Sequence, residues 1–302
     1  MEKKYLCIDV GGTSIKYAVL DSRLQFSARG SVVTPYDGVE TYLDTLETIF
    51  HNVKEKEPQI SGIAMSVPGM IDSNQGICIN GGNLKYVELL PLAASMRKRC
   101  KVPVSVMNDA KAAALAEVTW GSLADCQDAV VIVFGTGIGG ALVKDGEVHS
   151  GKHFAAGEFS WLMMSQEFDH AEDSWALRNG NRRLVSLAAA AKGVSTDGIT
   201  SYHVFQWAEE GDEQVLWALD KFTKDIAFMI MNLQVIYDPE RFAIGGGISK
   251  QPLFLKSIQR NVDGFYATAK FPIPKPEVVT CKYYNDANLI GALGYFLSQY
   301  PA

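Results

Sequence analysis

Two glycine clusters carry the first chemistry that can be read from this chain. They lie within CIDVGGTSIKYAVLD (7–21) and VIVFGTGIGGALVKDG (131–146), where an apolar run enters the glycines and a second apolar run leaves them, ending at Asp21 or Asp145. That pattern predicts a β-hairpin at each place, with a turn whose backbone is not covered by side chains. Amide N–H groups in such a turn can point at phosphate oxygens, and two turns facing each other could hold both ends of a polyphosphate. Phosphoryl transfer is the reaction class this suggests.

Each cluster alone also fits an ordinary tight turn, since paired glycines are a hairpin signal in themselves. The second cluster satisfies G-x-G-x-x-G, which raises a dinucleotide-binding turn. The residues after Gly140 speak against that alternative. The fingerprint needs a helix opening at its last glycine, whereas ALVKDGEV reads as strand, turn and strand. The chain also has no G-x-x-x-x-G-K-[ST] phosphate loop.

Hydrophobic periodicity gives the elements that would position these turns. A third strand is predicted near 26–33, then a helix in which Leu43, Leu46, Phe50 and Val53 recur at helical spacing, with Asp37 and Glu40 as its capping pair and Pro58 after its end. The strand ISGIAMSV leads into Pro68-Gly69, an amphipathic helix spans about 89–99, and the strand VPVSVM runs into Asn108-Asp109. The alanine-rich run 110–120 predicts a helix closed by Gly121, so Asn108 and Asp109 lie at its amino end, where plain capping is one reading of both. The second half repeats the opening hairpin and adds a long apolar helix at about 214–237, the strand RFAIGGGI, and helices near 253–261 and 287–299. Interleaved strands and helices in two similar halves predict a duplicated α/β fold. The expected division is 1–109, completed by the helix at about 287–302, and 110–286.

Composition narrows the function classes. A chain of 302 residues that is 47% hydrophobic can build two cores. Its net charge of −6 gives no basic field for nucleic acid. The five cysteines at 7, 78, 100, 126 and 281 show neither metal-ligand spacing nor a disulfide framework, and MEKKYLCIDV lacks a signal-peptide apolar core, so a cytoplasmic protein is expected.

Taken together, these features resemble the ROK sugar kinases, a branch of the actin-like ATPase and hexokinase superfamily. The resemblance rests on DVGGTSIK (9–16), VPGMID (67–72), GICINGGNL (76–84), NDAKAAALAE (108–117), FGTGIGGALV (134–143), AGEFS (156–160) and AIGGGI (243–248), in that order along nearly the whole chain. It implies the duplicated ribonuclease H-like, hexokinase-type fold, with two domains around a cleft. It also implies that Asp109 is the base accepting the proton of the attacking sugar hydroxyl, which suits a carboxylate at a helix amino end. By the same resemblance Asp9 organises Mg2+ through water, while Gly11, Gly12 and Thr13, and Gly135, Thr136, Gly137 and Gly139, approach the phosphates of ATP. Gly245, Gly246 and Gly247 would admit its adenine side. Lys16 is either a phosphate-side charge or an ordinary solvated lysine. Gly69, Gly82, Asn108, Asp109 and Glu158 are the implied sugar contacts, and a homodimer is the implied assembly.

The chain departs from the family pattern at the sugar. The usual E-x-G-H is Glu158-Phe159-Ser160-Trp161, the cysteine-rich zinc stretch is Arg178-Asn179-Gly180-Asn181-Arg182-Arg183-Leu184, and the glutamate expected after it is Ser186. No structural zinc is expected. Two polar partners for the anomeric end of the sugar are gone and an aromatic stands there instead, which fits an anomeric oxygen that bears a substituent. This predicts a β-glucoside such as cellobiose or gentiobiose, in the pattern of zinc-free β-glucoside kinases. Free glucose or N-acetylmannosamine remains the alternative, with Trp161 then filling core space. ROK repressors carry a DNA-binding domain ahead of the first hairpin, and only a few residues stand there in this chain.

Overall fold

The computed structural model describes residues 3–165, 173–268 and 272–301. The chain divides into two compact units, one of Met1–Thr119, Ser150–Ala155 and Asp286–Ala302, the other of Trp120–His149 and Ala156–Asn285.

The first unit contains β1 (Lys4–Val10), β2 (Ser14–Asp21), β3 (Phe26–Val33), α1 (Val39–Lys56), β4 (Ile60–Val67), β5 (Ile71–Asp72), β6 (Ile77–Cys78), α2 (Leu92–Cys100), β7 (Val104–Asn108) and α3 (Asp109–Trp120), whose last residue is assigned to the second unit. Among the described residues a five-stranded sheet runs in the order β3-β2-β1-β4-β7. β1 and β2 form the first predicted hairpin, with Val10 opposite Ile15, and β1, β4 and β7 run parallel. The burial of β4 explains its near-continuous apolar sequence, because all its residues except Ser61 are buried in the middle of the sheet. Edge strand β3 alternates half-buried and exposed positions.

The second unit contains β8 (Ala129–Phe134), β9 (Ile138–Lys144), β10 (Glu147–His149), α4 (Trp175–Asn179), α5 (Asn181–Lys192), α6 (Ser201–Glu209), α7 (Glu213–Tyr237), β11 (Arg241–Gly246), α8 (Pro252–Thr268) and β12 (Val278–Thr280). Its sheet order, β10-β9-β8-β11-β12, repeats the first strand for strand: an antiparallel three-stranded meander, then two parallel strands reached across helices. The duplication visible in the glycine turns therefore extends to the whole sheet, and the fold is the duplicated α/β type. Helix α9 (Ala287–Gln299) returns to the first unit, where Phe296 meets Tyr5 at a ring-centroid distance of 5.2 Å.

Each unit has its own apolar core. In the first, Leu43, Leu46, Ile49, Phe50 and Val53 of α1 pack with Ile8, Ile63 and Val106 of the sheet; in the second, Phe222, Ile226 and Ile230 of α7 pack with Ile132, Phe242 and Phe254. Asp212 caps α7 by accepting from Gln214 N and Val215 N at 3.0 and 3.1 Å. The capping pair expected at α1 does not form. Gly38 occupies the cap without a side-chain bond, and Glu40 instead joins Asp44 and Glu47 around Arg99 of α2, at 2.6, 2.6 and 2.8 Å. Among the described residues no helix is long and apolar enough to cross a membrane.

Candidate active site

In the first unit the parallel strands end side by side. Register pairs Asp9 with Ser66 and Val67 with Asn108, so residues from three distant stretches share one edge of the sheet, at the strand ends where ligands bind in open α/β sheets. Asp9 Oδ1 accepts from Asn288 Nδ2 of α9 at 2.9 Å and from Ser66 Oγ at 3.1 Å. Burial raises the Asp9 carboxyl above the usual aspartate value, while those two hydrogen bonds and the charge of Lys16 pull it back. Lys16 lies opposite Asp9 in the hairpin and is exposed. The turn itself is fixed through its carbonyls: Gly11 O accepts from Thr34 Oγ1 at 2.7 Å, Gly12 O from the Tyr36 hydroxyl, and Thr13 O from Thr34 N at 3.1 Å. Gly12 and Thr13 are exposed.

The expected sugar contacts of this unit converge on Asn108 and Asn80. Asn108 is 3% exposed, and its Nδ2 donates to Gly69 O at 2.9 Å and to Asp109 Oδ1 at 3.0 Å, while its Oδ1 accepts from Lys111 N at 3.0 Å. Asp109 Oδ1 also accepts from Ala110 N at 2.8 Å, which puts the carboxylate at the amino end of α3. Asn80 Oδ1 accepts from Met70 N and Gly82 N, each at 3.2 Å, joining the Gly69 loop to the Gly82 loop. Gly69 has φ +87°, and a Cβ there would come within 2.3 Å of Asn80 O, so both the conformation and the close approach require glycine. Within the first turn of α3, the buried Lys111 donates from Nζ to Phe154 O at 2.6 Å and anchors the 150–155 segment.

In the second unit Gly245 and Gly246 pair with Val133 and Phe134, so the end of β11 lies beside the start of the second glycine turn. Gly246 has φ +90°, and a Cβ there would sit 2.0 Å from Phe134 O. Gly247 faces open space. Gly135 N donates to Gly137 O at 2.9 Å, and Gly135 O accepts from Asn181 N at the start of α5 at 3.1 Å. Gly137 and Gly139 are half-buried and Thr136 is exposed.

Glu158 and Trp161 occupy one short 3-10 turn of this unit. The turn packs on β9: Ser160 Oγ donates to Ile138 O, and Phe159 is buried against Gly140 and Trp175. Trp161, by contrast, is 75% exposed, which rules out the core-filling alternative for it. Arg178 pairs with Asp173 at 2.6 Å, and the buried Asn179 donates from Nδ2 to Phe222 O at 2.8 Å. Ser186 is exposed on α5 and bonds back to Arg182 O at 3.0 Å.

Ser66, Asn80, Lys111 and Asn288 are hydrogen-bonded to the candidate residues or their loops, and sequence reasoning does not single them out. Asn80 lies within GICINGGNL, whereas Asn288 gives no signal beyond starting a helix.

A family model described as the ROK family matches residues 5–299. The chain belongs to the ROK family. Among its ROK relatives, the β-glucoside kinase of Klebsiella pneumoniae is 30% identical over 302 residues, covering 98% of this chain and 97% of its own. The β-glucoside kinase of Listeria monocytogenes serovar 1/2a is 26% identical over 299 residues, covering 98% of each. A ROK family protein from Streptococcus pneumoniae TIGR4, solved in complex with sucrose, superposes with a TM-score of 0.85 at 28% identity, again over 98% of each chain.

Proposed function

We propose that this ATP-dependent carbohydrate kinase of the ROK family transfers the γ-phosphoryl group of ATP to the 6-hydroxyl of the non-reducing glucose of a β-glucoside, such as cellobiose or gentiobiose. The observation that carries the acceptor is the exposed indole of Trp161, three residues after Glu158, where the family pattern has a histidine. The exposed indole offers a stacking surface to a second sugar ring and, being a donor only, no acceptor for the proton of a free anomeric hydroxyl. The two β-glucoside kinase relatives support the same choice, and the sucrose in the Streptococcus relative, whose glucose is α-linked, supports only a glucose with a substituted anomeric oxygen.

In this reading Asp109 accepts the proton of the attacking hydroxyl, and Asn108 holds the carboxylate in place through its bond to Oδ1. Gly69, Gly82 and Glu158 contact the sugar. Gly11, Gly12, Thr13, Gly135, Thr136, Gly137 and Gly139 hold the phosphates through backbone, with Lys16 at the margin, and Gly245, Gly246 and Gly247 flank the adenosine. Asp9 fits a magnesium site: it is one carboxylate, fixed by two hydrogen bonds to a single oxygen, and Mg2+ keeps several waters of its own beside few protein ligands. When bound, Mg2+ would neutralise charge on the nucleotide phosphates. Among the described residues no group of three or more His, Cys, Asp or Glu side chains is placed to hold a metal, so Asp9 would act with water and phosphate oxygens. A cytoplasmic homodimer without nucleic-acid partners completes the proposal.

A coupled ADP-release assay across glucose, N-acetylmannosamine, fructose, cellobiose and gentiobiose tests it. The highest kcat/KM should fall on cellobiose or gentiobiose. A maximum on a free hexose would replace the acceptor with that sugar.

A further inference from the structure

The first unit holds a cavity of about 110 Å3 that none of the proposed kinase residues lines. Its wall is built by the β5–β6 loop, Arg97 of α2, the start of β7 and the last turns of α9. Two features of that wall lack an explanation in folding. Ser105 of β7 is 5% exposed, and its hydroxyl is buried without a hydrogen-bond partner among the described residues. A partnerless buried hydroxyl costs free energy, and in the strand VSVMN a valine would fit this position more cheaply. Among the described residues Arg97 is the cation of the cavity wall, and no carboxylate side chain lines it.

The guanidinium donates to Val104 O at 3.1 Å and to the Tyr300 hydroxyl at 3.5 Å, both neutral acceptors, and this leaves further N–H groups of its planar fork for another acceptor. The adjacent acid, Asp72, is already engaged by Gln75 through N and Nε2 at 3.0 and 2.9 Å. Tyr295 donates to Ser73 O at 2.8 Å, and burial, followed by the charge of Asp72, keeps its phenol neutral by raising it to about 12. Gln299 adds a side-chain amide to the same wall. The cavity wall thus holds one fixed positive charge, a buried hydroxyl without a partner and neutral donors.

We propose that this cavity binds a small oxyanion of the phosphate class, with Arg97 as counter-charge and Ser105 as hydroxyl donor. Guanidinium and hydroxyl donors match the several acceptor oxygens of such an ion. The occupant would touch two elements that reach the kinase residues: Ser105 lies three positions before Asn108 on β7, and Gln299 shares α9 with Asn288, the partner of Asp9. Binding here is independent of which sugar the kinase accepts.

The test is isothermal titration of orthophosphate into the full chain at constant ionic strength, with Mg2+ and a non-hydrolysable ATP analogue at saturation so that the nucleotide site is filled. Saturable binding of one phosphate per chain is expected, displaced by sulfate and weakened at least about tenfold in Arg97→Met. Ser105→Ala should weaken it several-fold, and both variants should keep the wild-type turnover measured without phosphate. Arg97 is exposed, so its replacement leaves the core intact, and Ser105→Ala serves as the second variant if Arg97→Met fails to fold. Absence of saturable binding to the wild type, or unchanged affinity in the folded variants, overturns the proposal.

Discussion

Asn108 Nδ2 donates to Asp109 Oδ1 at 3.0 Å while Asn108 Oδ1 accepts the Lys111 N–H at 3.0 Å. One side chain therefore caps α3 and braces the carboxylate that begins it. Capping and chemistry, which compete as readings of the sequence, are compatible in the structure because they use opposite ends of the same amide.

Asp109→Asn should keep the fold and sugar binding and lose most of kcat. The amide cannot take the hydroxyl proton, and a general base typically contributes about a hundred- to ten-thousand-fold. Steady-state kinetics with a binding measurement for the sugar check this. Near-normal turnover by a folded variant would remove Asp109 from the role of base.

Asn108→Ala removes the cap of α3, the bond to Gly69 O and the bond to Asp109 together. Loss of a cap alone costs about 1 kcal/mol, and the orphaned Gly69 carbonyl adds to it. Urea denaturation should show a destabilisation of about 2 kcal/mol, accompanied by a fall in kcat because Asp109 is no longer braced. An unchanged midpoint and rate would show that neither bond matters.

The Asp9 carboxyl is raised in the folded protein, with burial as the largest cause. The fold thus holds this proton to higher pH than the unfolded chain does. Below the ordinary aspartate range both states are protonated, and as pH rises through the elevated value ionisation costs folding stability. Two consequences are measurable. Asp9→Asn should be at least as stable as the wild type at neutral pH without ligands, yet require far more Mg2+ for turnover. Mg2+ dependence should also steepen in the wild type as the pH is lowered towards the elevated value, since proton and metal compete for the carboxylate. A variant with wild-type Mg2+ dependence would detach Asp9 from the metal.

Legibility in the sequence tracks the range of the interactions involved. Hairpins and long amphipathic helices are set by neighbours in sequence, so β1–β2, β8–β9, α7 and α9 are legible to within about three residues. The cap of α1 is not, because Arg99, from another helix, recruits Glu40. Helices α4–α6 give a weak signal: α5, NRRLVSLAAAAK, buries only Leu184, Ala188 and Ala189 among its residues. At the site, the strand-end position of Asp9 is legible from its hairpin. Its partner Asn288 lies 279 residues away, and only the docking of α9 on the sheet brings it there.

Trp161 gives the sharpest test of substrate choice. Its ring is 75% exposed, so Trp161→Ala should barely change stability, and any kinetic effect will report on the substrate rather than on folding. If the indole carries the second ring of a β-glucoside, the substitution should lower kcat/KM for cellobiose or gentiobiose by about 1–2 kcal/mol and spare free glucose. The converse change restores the family residues, Trp161→His with Ser186→Glu. Ser186 is exposed on α5 and contributes only a local bond to Arg182 O, so a longer side chain can be accommodated there. The double variant should move preference towards free hexose, because the imidazole and carboxylate return partners to hydroxyls that a glucoside does not expose. Both shifts are read as ratios of kcat/KM between disaccharide and monosaccharide, which cancels any uniform loss of active enzyme. Equal losses on both sugars in Trp161→Ala would remove the stacking surface from the argument and with it the main support for a glucoside acceptor.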